Sequence, residues 1–503
     1  MRSSRPRTSD PDAQTAAPDV DAPTRSDPLL RALSDRFGGP AGQRIRPSGG
    51  REPGSQDAVA HRRSAVTWVL IALTLAGVLL SLLHMGHCRA EGWGGVAVYH
   101  HGCYSDVAAL YSGRELDSTP WAPFRGDMWF EYPVLTGLLA SLAAVVTQAI
   151  AGLFPTGPTP EQTPLLNYWG ERESLLYWDV SFVMTAAAWV VLVLAVMKAA
   201  GRRPWDAAIV AIAPPIVLTA GINWDMWPAA ALALAILAHL RGRHLTAGVL
   251  IGVGTAFKIY PLFMLGAVFV LAVRTVLGRD TGRAHGPGQG HTARAEVGLP
   301  EFLRTLLGAV GAWLVVNVPA MLISFQAWGQ FYEFSDERGA GNSSLWHVWS
   351  ILAGDRGWAV PDAQFISTWS FLLFLFACVG VLALGLAAPR RPRMVQLLLL
   401  IVAAFILVNK VYSPQFVIWL LPLLALAAPR WRDVLIWSVV EVLHFWAIWM
   451  HLAARVGEYE SQHVMGEAVF VLAVVAHMAV TLYVMGVVVR DILRPQYRES
   501  LAL

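Results

Sequence analysis

The chain has 503 residues, 55% of them hydrophobic and 21 of them tryptophan, and its mean hydropathy is +0.48. Apolar runs long enough to cross a bilayer recur between residues 66 and 489, which excludes a soluble globular protein. The net charge of +3 says little as a total, so what matters is where the basic residues fall. We predict an all-α polytopic membrane protein, because helices satisfy their own backbone hydrogen bonds inside a bilayer.

The first 60 residues are rich in Pro, Arg, Ser, Asp and Gly and lack apolar periodicity. Such a segment buries too little apolar surface to offset its chain entropy, so we predict a disordered cytoplasmic tail over residues 1–60. His61, Arg62 and Arg63 directly precede the first apolar span. Because basic residues favour the cytoplasmic side, that span is predicted to start in the cytoplasm.

The basic residues also decide the topology of the remaining segments. If residues 133–154 form a helix on the membrane surface, the connections rich in Lys and Arg all fall on the cytoplasmic side. If that segment crossed the membrane instead, all of these basic connections would lie outside. We therefore predict a first external loop over residues 84–174, a flexible cytoplasmic loop over 278–300 and a cytoplasmic C-terminus at 496–503. The protein is then a multi-pass protein of the cell membrane with both termini in the cytoplasm and its site facing the exterior or periplasm. The predicted spans are residues 66–83, 175–197, 205–221, 226–240, 245–258, 260–277, 302–323, 366–388, 394–410, 412–428, 433–452 and 465–489.

With this topology, polar residues that are unusual for so apolar a chain face the exterior. Lys258 and Lys410 are each the only cation at a tight external turn, which indicates anion binding, although lysines also reach towards lipid headgroups. Asp106 follows the first span in a polar loop, where a lone acid is often only a solvated or capping residue. Glu131 and Asp225 each begin a helix, where an acid is favoured by the helix dipole or as a cap. A structural and a functional reading stay open for each residue.

Two further pairs stand out. Cys88 and Cys103 share the first external loop, so we predict a disulfide that holds the approach to Asp106. Glu441 and His444 lie one helical turn apart within a span. A buried carboxylate needs a partner, so these two form either a structural pair or part of the chemistry.

Six short motifs occur in one order on the predicted outer face. They are Tyr104-Ser105-Asp106; Glu131-Tyr132-Pro133-Val134-Leu135-Thr136; Asn223-Trp224-Asp225; Phe257-Lys258-Ile259-Tyr260-Pro261; Glu337-Arg338-Gly339 followed by Ser344-Leu345-Trp346; and Asn409-Lys410-Val411-Tyr412-Ser413-Pro414-Gln415. With them the chain resembles the actinobacterial membrane glycosyltransferases of family 87, long described as a domain of unknown function, within the GT-C superfamily. The resemblance covers roughly residues 64–490.

The resemblance implies a GT-C-like bundle of about twelve transmembrane helices, with a catalytic domain over residues 61–495. Its expected activity is inverting transfer of a sugar from a polyprenyl-phosphate donor to a cell-envelope glycolipid or polysaccharide on the outer face. Mannose is the first expectation for the sugar and arabinofuranose the second. The partners are then the donor, the acceptor and the bilayer, with no nucleic acid, no cofactor and no metal.

The same resemblance distributes roles among the residues. Asp106 takes the place of the general base that accepts the proton of the acceptor hydroxyl. The leaving phosphate needs positive charge, which Lys258, Arg338 and Lys410 would supply. Tyr412 and His347 would donate hydrogen bonds to that phosphate. The expected contacts of the acceptor or the sugar are Glu131, Tyr132, Trp224, Asp225 and Trp346.

Two other classes of protein compete with this reading. A transporter or flippase for lipid-linked sugars would place its charged residues near the bilayer midplane, where Glu441 and His444 lie. An inactive homologue would serve as a scaffold in an envelope complex. Asp106→Asn separates them, because only an enzyme would keep donor binding and lose turnover.

Overall fold

The computed structural model describes residues 56–153, 173–201, 203–279, 297–428, 430–457 and 464–494. Residues 1–55 of the predicted tail, residues 280–296 of the predicted cytoplasmic loop and the whole segment 496–503 lie outside this range. The described residues form helices and no strand, which confirms the predicted all-α class.

The helices are numbered in chain order. They are α1 (Gln56–His84), α2 (Gly86–Glu91), α3 (Ala97–His100), α4 (Asp106–Gly113), α5 (Val134–Ala151), α6 (Glu173–Ala199), α7 (Ala208–Ile212), α8 (Pro214–Thr219), α9 (Met226–Leu240), α10 (His244–Phe257), α11 (Phe263–Val276), α12 (Leu299–Ile323), α13 (Phe325–Glu337), α14 (Leu345–Arg356), α15 (Ala363–Ala387), α16 (Met394–Val408), α17 (Val417–Ala427), α18 (Trp431–Val456) and α19 (Glu467–Leu493). Single 3-10 turns cover Ala122–Phe124, Pro204–Ala207, Tyr260–Leu262 and Pro414–Phe416. The longest connections lie between α1 and α5, between α5 and α6, and between α11 and α12.

Seven of the described helices are long and apolar enough to cross a membrane, namely α1, α5, α6, α12, α15, α18 and α19. Shorter apolar helices occur at α9, α10, Tyr260–Val276, α16 and Pro414–Ala427. Every span predicted from the sequence coincides with one of these helices or with the α7–α8 pair. Length and composition alone allow α5 to cross, so its position on the membrane surface stays a prediction.

Three short helices, α9, α16 and α17, lie at the centre of the bundle, and two long ones, α12 and α15, lie at its rim. Every residue of α17 is buried, and so are most residues of α9 and α16. By contrast, α12 and α15 expose large apolar side chains such as Leu322, 83% exposed, and Phe376, 77% exposed. A helix that is apolar all round fits the inside of the bundle, whereas the exposed leucines and phenylalanines of the rim suit contact with lipid.

Helices α10 and α12 approach each other closely because small residues face each other. A Cβ on Gly248 or Gly252 would run into the backbone carbonyl oxygens of Thr305 and Ala309, and one on Gly308 would meet the backbone of α10. Small residues, glycine above all, allow helix backbones to come this close in membranes. This contact fixes the end of α10 that carries Lys258.

The proline pair Pro214-Pro215 interrupts the third predicted span. Helix α7 ends at Ile212, Ala213 is extended with ψ 139°, and α8 starts at Pro214. A residue that precedes proline avoids the helical region because of the clash with the proline ring. The connection after α8, residues 220–225, leads into α9. It lies against the long connection between α1 and α5, residues 85–133, which is called the first long connection below.

Candidate active site

Asp106 begins α4 and is held in place through its backbone. Its amide donates to the carbonyl oxygen of Ile222 over 2.8 Å, and the hydroxyl of Ser105 donates to the same oxygen over 3.1 Å. Just upstream, Cys88 and Cys103, the pair expected from the sequence, form a disulfide with their Cα atoms 5.9 Å apart. The first long connection is thus fastened to the connection between α8 and α9.

The carboxylate of Asp106 lies beside two phenols. Tyr132 donates to Oδ2 over 2.9 Å, and both Tyr132 and Tyr104 act to lower the pKa of this carboxyl. Burial raises the pKa of the Asp106 carboxyl above its ordinary value, and the two phenols and the charge of Lys258 oppose part of that rise. The ionised form is therefore a stronger base than a solvated aspartate, and its side chain remains partly accessible.

Lys258 and Asp225 form an ion pair beside Asp106. The ammonium of Lys258 contacts Oδ1 of Asp225, whose side chain is 2% exposed, and the indole of Trp419 donates to Oδ2 over 3.1 Å. The backbone amide of Asp225 donates to the side-chain oxygen of Asn223 over 3.0 Å. Lys258 Nζ also lies 5.5 Å from the ring centroid of Tyr132, so one lysine stands beside both acids.

Several buried donors around these acids lack a protein partner. Among the described residues, no partner reaches Nδ2 of Asn223, Nε1 of Trp224 or the hydroxyl of Tyr260. The ring of Trp224 meets Tyr132 edge to face with centroids 5.5 Å apart, and Tyr260 stacks on Trp419 at 4.3 Å. A buried donor without a partner costs about 1–3 kcal/mol, so a ligand rich in oxygen atoms would stabilise this wall.

Arg338 and Lys410 form a second, separate cationic cluster. Lys410 Nζ donates to the carbonyl oxygen of Asp336 over 3.1 Å and to Oγ of Ser367 over 2.9 Å. Burial lowers the pKa of Lys410, with Asp336 opposing and Arg338 adding to the shift. The Arg338 guanidinium lies over the ring of Phe334 at 5.4 Å. The sequence placed these cations with Lys258; of the three, Lys258 is the one that contributes to the pKa shift of Asp106 in the described part of the chain.

Three other predicted site residues turn towards the protein. Tyr412 is buried and donates to Glu441 over 2.9 Å. The ring of His347 lies 6.0 Å from that of His451, and Trp346 donates from its indole to the carbonyl oxygen of Val408 over 3.1 Å. Each therefore positions α14 or the connection after α16, and their predicted contacts with a donor or acceptor stay predictions.

Glu131 pairs with an arginine of the same connection. Arg114 donates from Nε to Oε2 over 2.8 Å and from a terminal nitrogen to Oε1 over 3.1 Å. Such a two-point contact occupies both carboxylate oxygens. Glu131 thus fixes the backbone next to Tyr132, while its predicted contact with the acceptor stays untested.

Comparison with known proteins identifies the central part of the chain. The family model described as glycosyltransferase family 87 matches residues 172–409. The chain is similar to glycosyltransferase family 87 over this segment, which is somewhat less than half of its length. It is also similar to GPI mannosyltransferase 1 of Eremothecium gossypii, with 27% identity over 278 residues. That alignment covers 52% of the chain and 64% of the relative's length.

The family 87 segment contains only part of the site described above. Asp225, Lys258 and Arg338 lie inside it, whereas Asp106 and Tyr132 come before residue 172. The match therefore supports the membrane glycosyltransferase class and leaves the roles of Asp106 and Tyr132 as proposals.

Sequence reasoning missed one residue that holds the site together. Trp419 bonds Asp225 and stacks on Phe416 with centroids 3.9 Å apart, yet it lies in the uniformly apolar α17. A tryptophan in such a run gives no signal of a polar contact. The proximity of Lys258 to Tyr132 and Asp106, by contrast, follows from motifs that the sequence already singled out.

Proposed function

We propose that the chain is an inverting membrane glycosyltransferase that moves a sugar, mannose in the first place, from a polyprenyl-phosphate donor to a cell-envelope glycolipid or polysaccharide. The family 87 segment and the likeness to a protein named as a mannosyltransferase support the class. The observation that carries the mechanism is the Asp106 carboxylate, held by Tyr132 and lying next to the Lys258–Asp225 pair.

Asp106 acts as the general base in this proposal. As the acceptor hydroxyl attacks the anomeric carbon, its proton passes to the carboxylate, and the bond from the anomeric carbon to the phosphate oxygen breaks. A positioned base contributes about 10²- to 10⁴-fold in rate. Burial raises the pKa of Asp106, which makes the carboxylate a better proton acceptor. A single displacement of this kind inverts the anomeric configuration.

The leaving group in this proposal is a lipid phosphate, which carries away negative charge. Cations aimed at the phosphate stabilise that charge as it develops. Arg338 and Lys410 supply them, and the connection that begins with Lys410 continues to Phe416, whose ring lies 5.8 Å from Lys258 Nζ. The buried donors of Asn223, Trp224 and Tyr260 would bond sugar hydroxyls.

The outer side of the membrane fits this chemistry. The Cys88–Cys103 disulfide lies 3 residues before Asp106, and disulfides persist in oxidising compartments outside the cytosol. We therefore propose that Asp106 faces the exterior and that both termini lie in the cytoplasm.

The test is transfer by the purified protein in lipid nanodiscs. Polyprenyl-phosphate mannose and membrane acceptor lipids are added, and glycolipid masses are read. We expect a hexose increment with the wild type, a loss of 10²-fold or more with Asp106→Asn, and unchanged donor binding. Asp127→Asn is the matched control, since Asp127 is an exposed acid of the same connection, paired only with Arg125 in the described contacts.

Each other outcome has a stated meaning. A pentose increment from an arabinofuranose donor would correct the sugar and keep the mechanism. Full turnover by Asp106→Asn would refute Asp106 as the base. Movement of the intact donor across vesicles, without transfer, would favour a flippase.

A further inference from the structure

Three buried side chains with metal-ligating atoms meet between α18 and α19. Glu441 and His444 lie one turn apart on the same face of α18, and His477 comes from α19. Their exposed fractions are 2%, 1% and 1%. One ligand atom from each lies within 4.8 Å of the other two.

Hydrogen bonds satisfy only some of the polar side-chain atoms in this cluster. Nδ1 of His477 lies 2.7 Å from Oε1 of Glu441, and Tyr412 donates to Oε2 over 2.9 Å. The rings of His444 and His477 lie 4.7 Å apart. Among the described residues, however, no hydrogen-bond partner reaches Nε2 of His444. The sequence offered His444 as the structural partner of Glu441, but the structure gives that carboxylate to His477 and Tyr412.

A histidine left in this state beside two other ligating side chains points to a missing ligand; His451 also lacks partners, but it belongs to no such group of three among the described residues. An unpaired polar atom in a buried site loses its bonds with water and gains nothing in return. Both oxygens of the Glu441 carboxylate already have hydrogen-bond partners, His477 at Oε1 and Tyr412 at Oε2. His444 is therefore not required to satisfy this carboxylate. Two imidazoles and one carboxylate on two adjacent helices are the ligand set that zinc and other divalent transition ions take in proteins.

We propose that Glu441, His444 and His477 bind one divalent transition-metal ion, with zinc as the reference ion. Zinc–nitrogen bonds of about 2.0–2.1 Å in a tetrahedral site put ligand atoms about 3.3 Å apart. The ligand atoms, which all lie within 4.8 Å of one another, would therefore close by up to about 1.5 Å, while the 2.7 Å between Nδ1 of His477 and Oε1 of Glu441 would open slightly. The ion replaces the proton between His477 and Glu441, and that proton is released to solvent as metal binds.

Tyr412 then acts on the ion indirectly. Its hydroxyl donates to the second oxygen of Glu441 and so orients the carboxylate. Outer partners of this kind are worth roughly 10- to 100-fold in metal affinity. Tyr412 stands two residues after Lys410, so the bound ion would tie α18 and α19 to the connection between α16 and α17. The proposed transfer reaction is not needed to infer this metal site.

The test measures metal directly on the full chain, purified with its affinity tag removed. Elemental analysis by mass spectrometry gives the metal content before chelation, after chelation and after reloading with zinc alone. We expect about one zinc per chain after reloading and loss of at least nine-tenths of it in His444→Gln and in His477→Gln. Tyr412→Phe should retain zinc with roughly 10- to 100-fold weaker affinity.

His451→Gln is the matched control. His451 lies on the same helix, is 1% exposed and has two ring nitrogens without a partner, but it stacks on Phe470 rather than on the cluster. Cobalt loading of the wild type adds a second readout, because tetrahedral cobalt gives visible absorption bands that the ligand variants should lack.

Each possible result of these metal measurements either supports or overturns the proposed site. Iron in place of zinc, with the same dependence on His444 and His477, would support the site. A wild-type chain that takes up no metal on reloading would overturn it, and this measurement does not depend on whether a variant folds. Equal zinc in His444→Gln, His477→Gln and the wild type would also overturn it.

Discussion

Tyr132→Phe tests whether Asp106 works as a base. The substitution removes the hydroxyl that donates to Asp106 over 2.9 Å and keeps the ring that packs on Trp224. A hydrogen bond to a charged group is worth about 1.5–3 kcal/mol, and one pKa unit corresponds to about 1.4 kcal/mol. Because this bond favours the ionised carboxylate, its loss should raise the pKa of Asp106 further, by roughly 1–2 units. Tyr104 and Lys258 also act to lower this pKa, so we expect the lower end of that range.

The sign of the effect on activity follows from the role of the base. The carboxylate accepts a proton only when ionised, so activity is lost as pH falls through its pKa. The acidic limb of kcat/KM against pH should therefore move to higher pH by about one unit in Tyr132→Phe, with recovery in alkaline buffer. Tyr177→Phe is the control, because its hydroxyl donates to Ala140 and not to the site. An unmoved limb, a shift to lower pH, or an equal loss at every pH would refute the reasoning.

Other predictions concern stability. Lys258→Met leaves Asp225 buried without its cation, so the unfolding free energy should fall by about 3–5 kcal/mol. The double variant that also carries Asp225→Asn should recover most of the thermal stability but not the turnover. A Lys258→Met variant that melts at the wild-type temperature would contradict the pairing. Gly252→Ala drives a Cβ into the backbone of α12 and should cost about 1–3 kcal/mol, while Gly311→Ala on the rim meets nothing within 4 Å; equal melting temperatures would argue against the close contact. Cys88→Ser opens a crosslink that spans 15 residues and should cost about 3 kcal/mol, a loss that reductant should reproduce in the wild type but not in the variant.

The helical architecture could be read from the sequence because apolar length and proline position are local signals. The predicted spans match helices, and the break at Pro214 falls where the proline ring forbids a helical neighbour. What the sequence did not reveal is which helices lie at the centre. The short helices α9, α16 and α17 are buried because their neighbours surround them, and hydropathy alone cannot separate burial in protein from burial in lipid.

The site was partly predictable for a similar reason. Motifs such as Asn223-Trp224-Asp225 and the turn at Lys258 mark polar residues at helix ends, and these residues meet at Asp106. Partner choice depends on packing between helices that are distant along the chain. Glu441 therefore joins His477 of α19 rather than His444, which is its neighbour in sequence. Trp419 gave no signal at all.

The contacts of the two lysines decide which of them can serve the leaving phosphate in the proposed mechanism. Lys258 already holds the carboxylate of Asp225, so the pair is neutral and has little charge to offer an anion. Its nearness to Asp106 instead opposes part of the rise that burial causes in the pKa of that carboxyl. Lys410 bonds neutral oxygens, the carbonyl of Asp336 and the hydroxyl of Ser367, and Arg338 adds a second cation nearby. A phosphate that binds there replaces weak neutral contacts with charged ones, which are about twice as strong, so the cluster of Arg338 and Lys410 is better suited than Lys258 to hold the donor.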